Sequence, residues 1–251
     1  MRRLIIDSFV IILMKISQSN IVVLTGAGVS AASGLRTFRN NNGLWEEHAV
    51  EEVATPRAWK SDASMVWRFY QERRRQLVEV EPNQAHFALT KLGEYAKEFF
   101  LVTQNVDDLH ERSGGKDIVH MHGQLRMLRC EITGETEERM ESSDLENDFL
   151  FCTCCESANR LRPDIVWFEE QPMYMAEIRE AVEACDVFIV VGSSGHVSPA
   201  NRLVRQAKFL GAHTILINLE EPDNHSMFNE VHLGRAEIIL PKLVAKWINQ
   251  I

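Results

Sequence analysis

A short apolar run that breaks into glycines limits the possible folds of this chain more than any other pattern. Residues 21–24 are isoleucine, valine or leucine, and Thr25 is followed by Gly26, Ala27 and Gly28. An apolar, β-branched run of this kind is typical of a buried parallel strand that turns into a helix. At the start of such a helix, free N–H groups and the helix dipole favour a pyrophosphate. An ordinary tight turn has the same Gly-x-Gly pattern, so this run alone leaves the ligand open.

A second apolar run, residues 99–103, ends in polar side chains. Gln104, Asn105 and Asp107 follow it, and all three can bind ribose hydroxyls or an amide. The carboxyl ends of parallel strands meet at one edge of a sheet, where ligands bind. If the strand continues, Asn105 and Asp107 share a face; alternatively, they cap a helix that begins near Asp107. The two strand ends together predict a dinucleotide site.

Apolar runs recur along the chain and alternate with segments of helical spacing. We expect strands at residues 21–25, 99–103, 187–191 and 214–218. This alternation predicts an α/β fold with a parallel sheet covered by helices on both faces. Two stretches stand outside it, a helical one and a cysteine-bearing acidic one, and we expect them to form a smaller lobe. The predicted large lobe is about 15–39, 86–124 and 166–251, and the small lobe is about 40–85 and 125–165. The cleft between the lobes is the expected site.

The charge balance excludes one class of partner. The chain has 27 basic and 36 acidic residues and a net charge of −9, which argues against sequence-independent binding to nucleic acid. Basic protein substrates stay possible, because an acidic surface attracts them. Five cysteines are an odd number, and they favour a metal site or reduced thiols over a disulfide framework.

The N-terminus allows three interpretations. Two arginines precede the apolar residues 4–14, as in a signal peptide, but Asp7 and Ser8 interrupt the run and no small-residue cleavage site follows. The run is also too short to span a bilayer. We expect an amphipathic first helix; a third interpretation is that translation begins at Met14. The resulting prediction is a cytoplasmic protein without a membrane anchor.

Six sequence blocks, in this order, resemble the signature blocks of the sirtuins. They include Gly26-Ala27-Gly28, Gln104-Asn105 and His122-Gly123, and they span residues 26–39, 103–110, 120–123, 161–168, 191–194 and 218–220. The resemblance covers nearly the whole chain and is closest to the bacterial NAD-dependent protein deacylases. It implies a Rossmann-like large domain and a small zinc-bearing lobe. It also implies removal of acyl groups from protein lysines with consumption of NAD, giving nicotinamide and O-acyl-ADP-ribose.

Two rival functions remain beside this one. A mono-ADP-ribosyltransferase shares the cleavage of NAD but transfers the ribose to a protein side chain. A non-catalytic module would bind NAD and a partner only, which the intact His122, Asn105 and Asp107 argue against. For the deacylase we expect acyl-lysine proteins as partners, no nucleic acid or membrane, and a monomer.

His122 is the predicted catalytic base. A lone histidine at a strand end is usually structural, but an unperturbed imidazole has a pKa of about 6.5, which suits a base at cytoplasmic pH. By resemblance, His122 takes a proton from the nicotinamide ribose after the acyl oxygen has attacked the anomeric carbon. We expect His120, the competing imidazole, to lie on the opposite face, and Asn105 and Asp107 to contact the nicotinamide and its ribose.

The resemblance also assigns the contacts with NAD. Phe38 shields the reactive carbon from water, Arg39 holds phosphate, and Glu220 binds the adenosine ribose. The small residues Gly192, Ser193 and Ser194, which follow the predicted strand at residues 187–191, contact the phosphates. The predicted cofactor-binding residues are Gly26, Ala27, Gly28, Ser30, Phe38, Arg39, Trp45, Gln104, Asn105, Val106, Asp107, Gly192, Ser193, Ser194, Asn218, Leu219, Glu220 and Ala236.

Cysteine spacing departs from the family pattern. A structural zinc site usually offers two Cys-x-x-Cys pairs, and Cys152 with Cys155 is the second, but Cys130 has Thr133 where its mate is expected. Cys154 is set aside, because adjacent cysteines rarely both point at one tetrahedral metal. We expect one structural zinc held by Cys130, Cys152 and Cys155, with water or another side chain as the fourth ligand. The alternative is a lobe that folds without metal.

The acyl preference is predicted from the helical stretch. Tyr70 and Arg73 are three residues apart and share a helix face, where a phenol beside a guanidinium can bind a carboxylate. On composition alone, the basic run 73–75 is a solvated face. In the subgroup that handles succinyl- and malonyl-lysine, however, matching positions form a roomy pocket with a carboxylate-binding end, so we expect both deacetylase and desuccinylase activity. The predicted substrate-binding residues are Ala54, Tyr70, Arg73, Val166 and Phe168.

Overall fold

The computed structural model describes residues 16–35, 44–45, 48–146, 148–193, 200–221 and 225–249. The stretch interpreted as a signal peptide or first helix lies outside these ranges. Three predicted NAD-binding residues, Phe38, Arg39 and Ser194, also lie outside them. Trp45 is placed in a short strand, but its side chain is not described. The assignments for these residues stay predictions.

Strands and helices alternate along the described ranges. The strands are β1 Asn20–Thr25, β2 Leu44–Trp45, β3 His48–Ala49, β4 Glu98–Thr103, β5 Val119–His120, β6 Gly123–Cys130, β7 Thr136–Glu138, β8 Leu161–Ile165, β9 Val187–Val191, β10 His213–Asn218 and β11 Glu230–Leu233. The α-helices are α1 Val50–Val53, α2 Pro56–Ser61, α3 Ala63–Glu79, α4 Gln84–Tyr95, α5 Leu109–Arg112, α6 Met175–Ala184, α7 Ala200–Phe209 and α8 Ala236–Ile248. Within these ranges, none of the helices has both the length and the apolar character needed to cross a bilayer.

The large lobe is a six-stranded parallel sheet. Its order is β11-β10-β9-β1-β4-β5, and every neighbouring pair is parallel. All four predicted strands are present, with boundaries within one residue of the prediction. The strand order reverses between β1 and β9, which is the switch point of a Rossmann-like sheet. The prediction of an α/β fold with a Rossmann-like sheet is therefore confirmed.

Alternation along each strand builds a core on either side of the sheet. On one face, side chains such as Val23, Leu101 and Ile189 pack with α4 and α8. On the other face, Leu24 and Val190 pack with α6 and α7. Because both faces are buried, the strands are continuous apolar runs, which is why they could be recognised from the sequence.

A second cluster of buried residues lies outside the sheet. It draws on α1–α3 and on the three-stranded antiparallel sheet β7-β6-β8, with Trp59, Trp67 and Trp167 among its large side chains. Its buried members fall within residues 50–77 and 125–167, close to the two stretches predicted to form the small lobe. The predicted boundaries between the lobes stay a prediction.

Candidate active site

A cavity of about 980 Å³ opens at the carboxyl ends of β1, β4 and β9, beside helix α3. Its volume is at the upper end of the usual range for ligand pockets, about 300–1,000 Å³. Glu220 is not in its wall; its backbone carbonyl accepts a hydrogen bond from Asn218 Nδ2. The predicted site residues in the wall are Gly26, Ala27, Gly28, Ser30, Ala54, Tyr70, Arg73, Gln104, Asn105, Val106, Asp107, His122, Val166, Phe168, Gly192, Ser193, Asn218, Leu219 and Ala236.

The glycines after β1 interlock with the turn after β9. The Gly26 amide donates to the Val191 carbonyl at 2.9 Å, and the Gly28 amide donates to the Gly192 carbonyl at 2.8 Å. A Cβ on Gly28 would lie 2.7 Å from the Gly192 Cα, and Gly192 itself has a φ of 62°. We expected these glycines to allow close approach to a pyrophosphate, but they are also needed for the close packing of the two turns. They line the cavity, but their amides are bonded to protein carbonyls.

Ser30 brings Asn105 and Asp107 together. Its hydroxyl donates to Asp107 Oδ2 at 2.9 Å and accepts from Asn105 Nδ2 at 3.0 Å, and all three side chains are buried. The two residues do not share a strand face as expected, because β4 ends at Thr103. The N-cap residue of α5 is Asp108, so the capping alternative is met only in part: Asp107 Oδ1 accepts from the Leu109 amide at the start of the helix.

Burial raises the pKa of the Asp107 carboxyl to about 6. Hydrogen bonds from the Ser30 hydroxyl and the Leu109 amide favour the ionised form and offset part of this shift. Asp107 is thus a carboxyl whose protonation changes close to neutral pH, at the wall of the cavity.

His122 presents one ring nitrogen to the cavity. Its Nδ1 lies 3.0 Å from the Gln104 carbonyl, so Nδ1 carries the hydrogen and Nε2 has the free lone pair. Burial lowers the pKa of the His122 imidazole, so it is neutral at pH 7. The backbone is held in place as well, because the His122 carbonyl accepts from the Val166 amide at 2.9 Å.

His120 faces away from the cavity, as expected, but not because of strand alternation. The two histidines are two residues apart, which on a continuous strand would put them on one face. Strand β5 instead ends at His120. Its ring bonds the Asn105 carbonyl and the Glu111 carboxylate, at 3.2 and 2.6 Å. The turn before Gly123 therefore separates the two imidazoles.

The end of the cavity that contains the predicted acyl-binding residues is formed by α1, α3 and the segment after β8. Tyr70 is fully buried, its hydroxyl accepts from Trp167 Nε1 at 3.0 Å, and burial holds its pKa above the ordinary value. The Arg73 guanidinium stacks 3.7 Å over the Phe69 ring. The Ala54 carbonyl accepts from the amide of residue 168 at 2.9 Å, which ties this end to the segment after β8. A neutral phenol and a guanidinium thus meet in one wall.

His86, which the sequence analysis missed, is not in the cavity wall but lies buried behind Ser30. Its Nδ1 accepts from the Asn83 amide at 3.1 Å in the cap of α4, so Nε2 carries the hydrogen and faces Ser30 Oγ at 3.4 Å. Burial lowers the pKa of His86 to about 4, which keeps the ring neutral. The signal that could have found it is the Asn-x-x-His spacing at the start of a helix, which resembles a capping box.

The cysteine cluster contains four sulfurs, not three. The Sγ atoms of Cys130, Cys152, Cys154 and Cys155 lie within 4.8 Å of one another. Cys155 Sγ is 3.8 Å from that of Cys130 and 3.7 Å from that of Cys154. A tetrahedral zinc with Zn–S bonds of about 2.3 Å needs sulfurs about 3.8 Å apart, so the cluster fits this metal.

The geometric reason for setting Cys154 aside does not hold in the structure, because its Sγ lies with the other three. Residues 153–157 form consecutive bends, not a strand, so neighbouring side chains do not diverge. Cys154 Sγ also lies 3.2 Å from the Thr133 hydroxyl, beside the position where the missing cysteine was expected. All five cysteines lie in the described part of the chain, and none forms a disulfide.

Comparisons with known proteins agree on one family. A family model described as "Sir2 family" matches residues 26–199. An NAD-dependent protein deacylase of Shewanella oneidensis is 50% identical over 228 residues, which are 90% of this chain and 93% of the relative. A protein of the same name from Pasteurella multocida is 47% identical over 92% of this chain and 99% of its own length.

Solved structures show the same fold. A Sir2 homologue in complex with NAD superposes with a TM-score of 0.87 at 35% identity, covering 97% of this chain and 94% of the other. A Sir2 structure with a p53 peptide and NAD+ has a TM-score of 0.78 at 25% identity, covering 97% and 98%. The chain is similar to these proteins over nearly its whole length.

Proposed function

Because this chain belongs to the Sir2 family, we propose that it removes acetyl and succinyl groups from protein lysines with consumption of NAD. The products are nicotinamide, O-acyl-ADP-ribose and the free lysine. One observation carries the proposal: the cavity that holds the His122 imidazole also holds the phenol of Tyr70 and the guanidinium of Arg73. The proposed base, His122, and the proposed acyl clamp, which we define as Tyr70 and Arg73, therefore line the same cavity.

The side chains of His122, Asn105 and Asp107 in the cavity wall suit the chemistry of NAD. When bound, NAD supplies an anomeric carbon that the acyl oxygen attacks as nicotinamide leaves. His122 Nε2 is free to accept a proton from a ribose hydroxyl, because Nδ1 is committed to the Gln104 carbonyl. Asn105 and Asp107, fixed through Ser30, orient the nicotinamide end. The buried position of these side chains excludes water from the reacting atoms.

The acyl end supports the choice of substrate. Ala54 has a small side chain and leaves room for an acyl group longer than acetyl. Arg73 supplies a charge that a succinyl carboxylate can pair with, and an acetyl group has no such partner. Val166 and Phe168 line the path between the two ends and are proposed to hold the acyl-lysine.

The cysteine cluster is proposed to hold one structural zinc. Cys130 lies at the end of β6, and the other three cysteines lie in the loop before β8. The metal would join these segments and contribute folding free energy to the small lobe, without taking part in the reaction. We also propose that the enzyme acts as a monomer in the cytoplasm, where thiols stay reduced.

A single assay tests this function. Purified protein is incubated with NAD and an acetyl- or succinyl-lysine peptide, and nicotinamide and peptide mass are followed together. The proposal expects nicotinamide release matched by loss of acyl mass from both peptides. A gain of ADP-ribose mass on the peptide would indicate the mono-ADP-ribosyltransferase. Binding of NAD without any nicotinamide release would indicate the non-catalytic module that binds NAD and a partner.

A further inference from the structure

The basic run Arg73-Arg74-Arg75 on α3 is not a solvated face. Arg74 is 0% exposed and Arg73 is 8% exposed. Arg73 lines the cavity, whereas Arg74 does not. Helix α3 therefore has two polar faces, one toward the acyl end of the cavity and one toward another part of the small lobe. The second face has no role in the proposed function so far.

Three side chains of α3 bind the segment 144–146, which ends the 3₁₀ helix Ser142–Leu145. Gln71 Nε2 donates to the carbonyl of Asp144 at 2.8 Å and also to that of residue 146. Arg74 Nη1 donates to the Asp144 carbonyl at 3.2 Å and to Gln71 Oε1. Arg75 Nη1 donates to the Leu145 carbonyl at 2.7 Å. Carbonyls at a helix end lack partners within the helix, and cationic side chains suit them.

Stability alone does not explain the buried Arg74. Its Nε and Nη2 have no hydrogen-bond partner among the residues that the structure describes. Burial lowers the pKa of its guanidinium to about 10. A buried charge with incomplete partners is costly, and an apolar side chain of similar size is often as stable or more stable. What the guanidinium does supply is a directional link between α3 and segment 144–146.

We propose that Gln71 and Arg74 are positioning residues for the carboxylate end of the acyl pocket. Each directly follows a residue of the acyl clamp, since Gln71 follows Tyr70 and Arg74 follows Arg73. Their bonds to segment 144–146 fix the rotation and the axial position of α3, and thereby the place of the Tyr70 hydroxyl and the Arg73 guanidinium. The inference rests on the proposed desuccinylase function.

The test is a comparison of steady-state kinetics on two peptides at saturating NAD. Arg74→Met keeps an unbranched apolar side chain and removes the hydrogen-bond donors. We expect the KM for the succinyl peptide to rise about fivefold, with kcat and the acetyl kinetics within twofold of wild type. Arg68→Met, an exposed position on the same helix, is the matched control and should change neither peptide. Equal losses on both peptides, or no loss on either, would overturn the inference.

A double-mutant cycle separates positioning from support of the fold. In an Arg73→Met background the clamp is already gone, so adding Arg74→Met should raise the succinyl KM no further. A second, independent increase would contradict the proposal. If Arg74→Met does not fold, Arg75→Gln serves in its place, with the same direction and a smaller rise. If wild type does not hydrolyse the succinyl peptide, the proposed desuccinylase function itself fails, and the inference fails with it.

Discussion

Two groups in the cavity wall, the His122 imidazole and the Asp107 carboxyl, set the lower pH limit of the proposed reaction. His122 must be neutral to accept a proton, and burial places its pKa below 6.5. The Asp107 carboxyl has a pKa of about 6, so as pH falls below 6.5 both groups take up protons and activity should be lost. We expect a pH profile of kcat/KM that is flat from pH 8 to 6.5 and falls at lower pH.

The matching substitution is His122→Ala. It should lower kcat by about 10²-fold or more, which is the usual contribution of a positioned general base, while NAD still binds. Turnover close to wild type, or an acidic limb centred above pH 6.5, would refute the assignment of His122 as the base.

Asp107 illustrates how a site residue can reduce stability. Its pKa rises from an ordinary 3.8 to about 6 in the folded protein, so its contribution to stability is present below pH 4 and is lost as pH rises through 6. The loss is about 3 kcal/mol at neutral pH, since each pKa unit is about 1.4 kcal/mol. We expect Asp107→Asn to raise the free energy of unfolding at pH 8, to change it little at pH 4.5, and to lower activity. Urea denaturation at both pH values measures this; an equal gain at the two would show that the charge is not the cause.

Arg73 should decide which acyl group is accepted. Arg73→Met removes the charge that pairs with a succinyl carboxylate, so we expect the succinyl KM to rise about tenfold or more, equivalent to about 1.4 kcal/mol. Acetyl turnover should stay within a few-fold. Tyr70→Phe should act in the same direction but less, because it removes a neutral donor. Equal losses on the two peptides would mean that Arg73 supports the fold of α3 instead.

At the scale of elements, the turn after β1 and the turn after β9 act as one unit. Gly28→Ala would place a Cβ 2.7 Å from the Gly192 backbone, which cannot move without breaking its own bond to the Ile217 carbonyl. We expect a loss of about 2 kcal/mol or more in the free energy of unfolding, measured by denaturation. Gly134→Ala is the control, because a Cβ at this position would have no atom within 4 Å and only the φ of 76° opposes the change. If Gly28→Ala lowers the free energy of unfolding no more than Gly134→Ala does, the close packing of Gly28 against Gly192 is not important for stability.

How far the sequence predicts these elements depends on how local their cause is. Four of the six sheet strands, β1, β4, β9 and β10, were predicted to within one residue because each is a largely buried, continuous apolar run. The partner of Gly28 was not predictable, since Gly192 is brought beside it only by the parallel pairing of β1 with β9. Likewise, Asn105 and Asp107 were identified as a pair for the wrong reason, because the link through Ser30 is tertiary.

At the scale of the whole molecule, the sulfur cluster joins segments far apart in sequence. That is why Cys154 was missed, since only the folded chain brings it to Cys130 and beside Thr133. Its fourth sulfur makes the cluster a complete tetrahedral donor set. The small lobe therefore needs no ligand from outside the four cysteines.

We expect purified protein to contain about one zinc per chain, measured by elemental analysis. Cys154→Ser and Cys152→Ser should both lower zinc content and the melting temperature, because metal binding here is folding free energy. Cys185→Ser, at the end of α6 and outside the cluster, is the control and should keep the metal. Full zinc content in Cys154→Ser would show that Cys154 is not a zinc ligand.

The separate origin of the two ends of the cavity has an evolutionary consequence. The two side chains of the proposed acyl clamp, Tyr70 and Arg73, lie on α3, whereas the proposed base and its supporting residues lie after the ends of sheet strands. A codon change at Tyr70 or Arg73 therefore leaves the bonds among Ser30, Asn105 and Asp107 intact. Under the proposed function, substitutions on this one helix are enough to change the acyl preference of a descendant of this protein, while the hydrogen bonds at the NAD end stay unchanged.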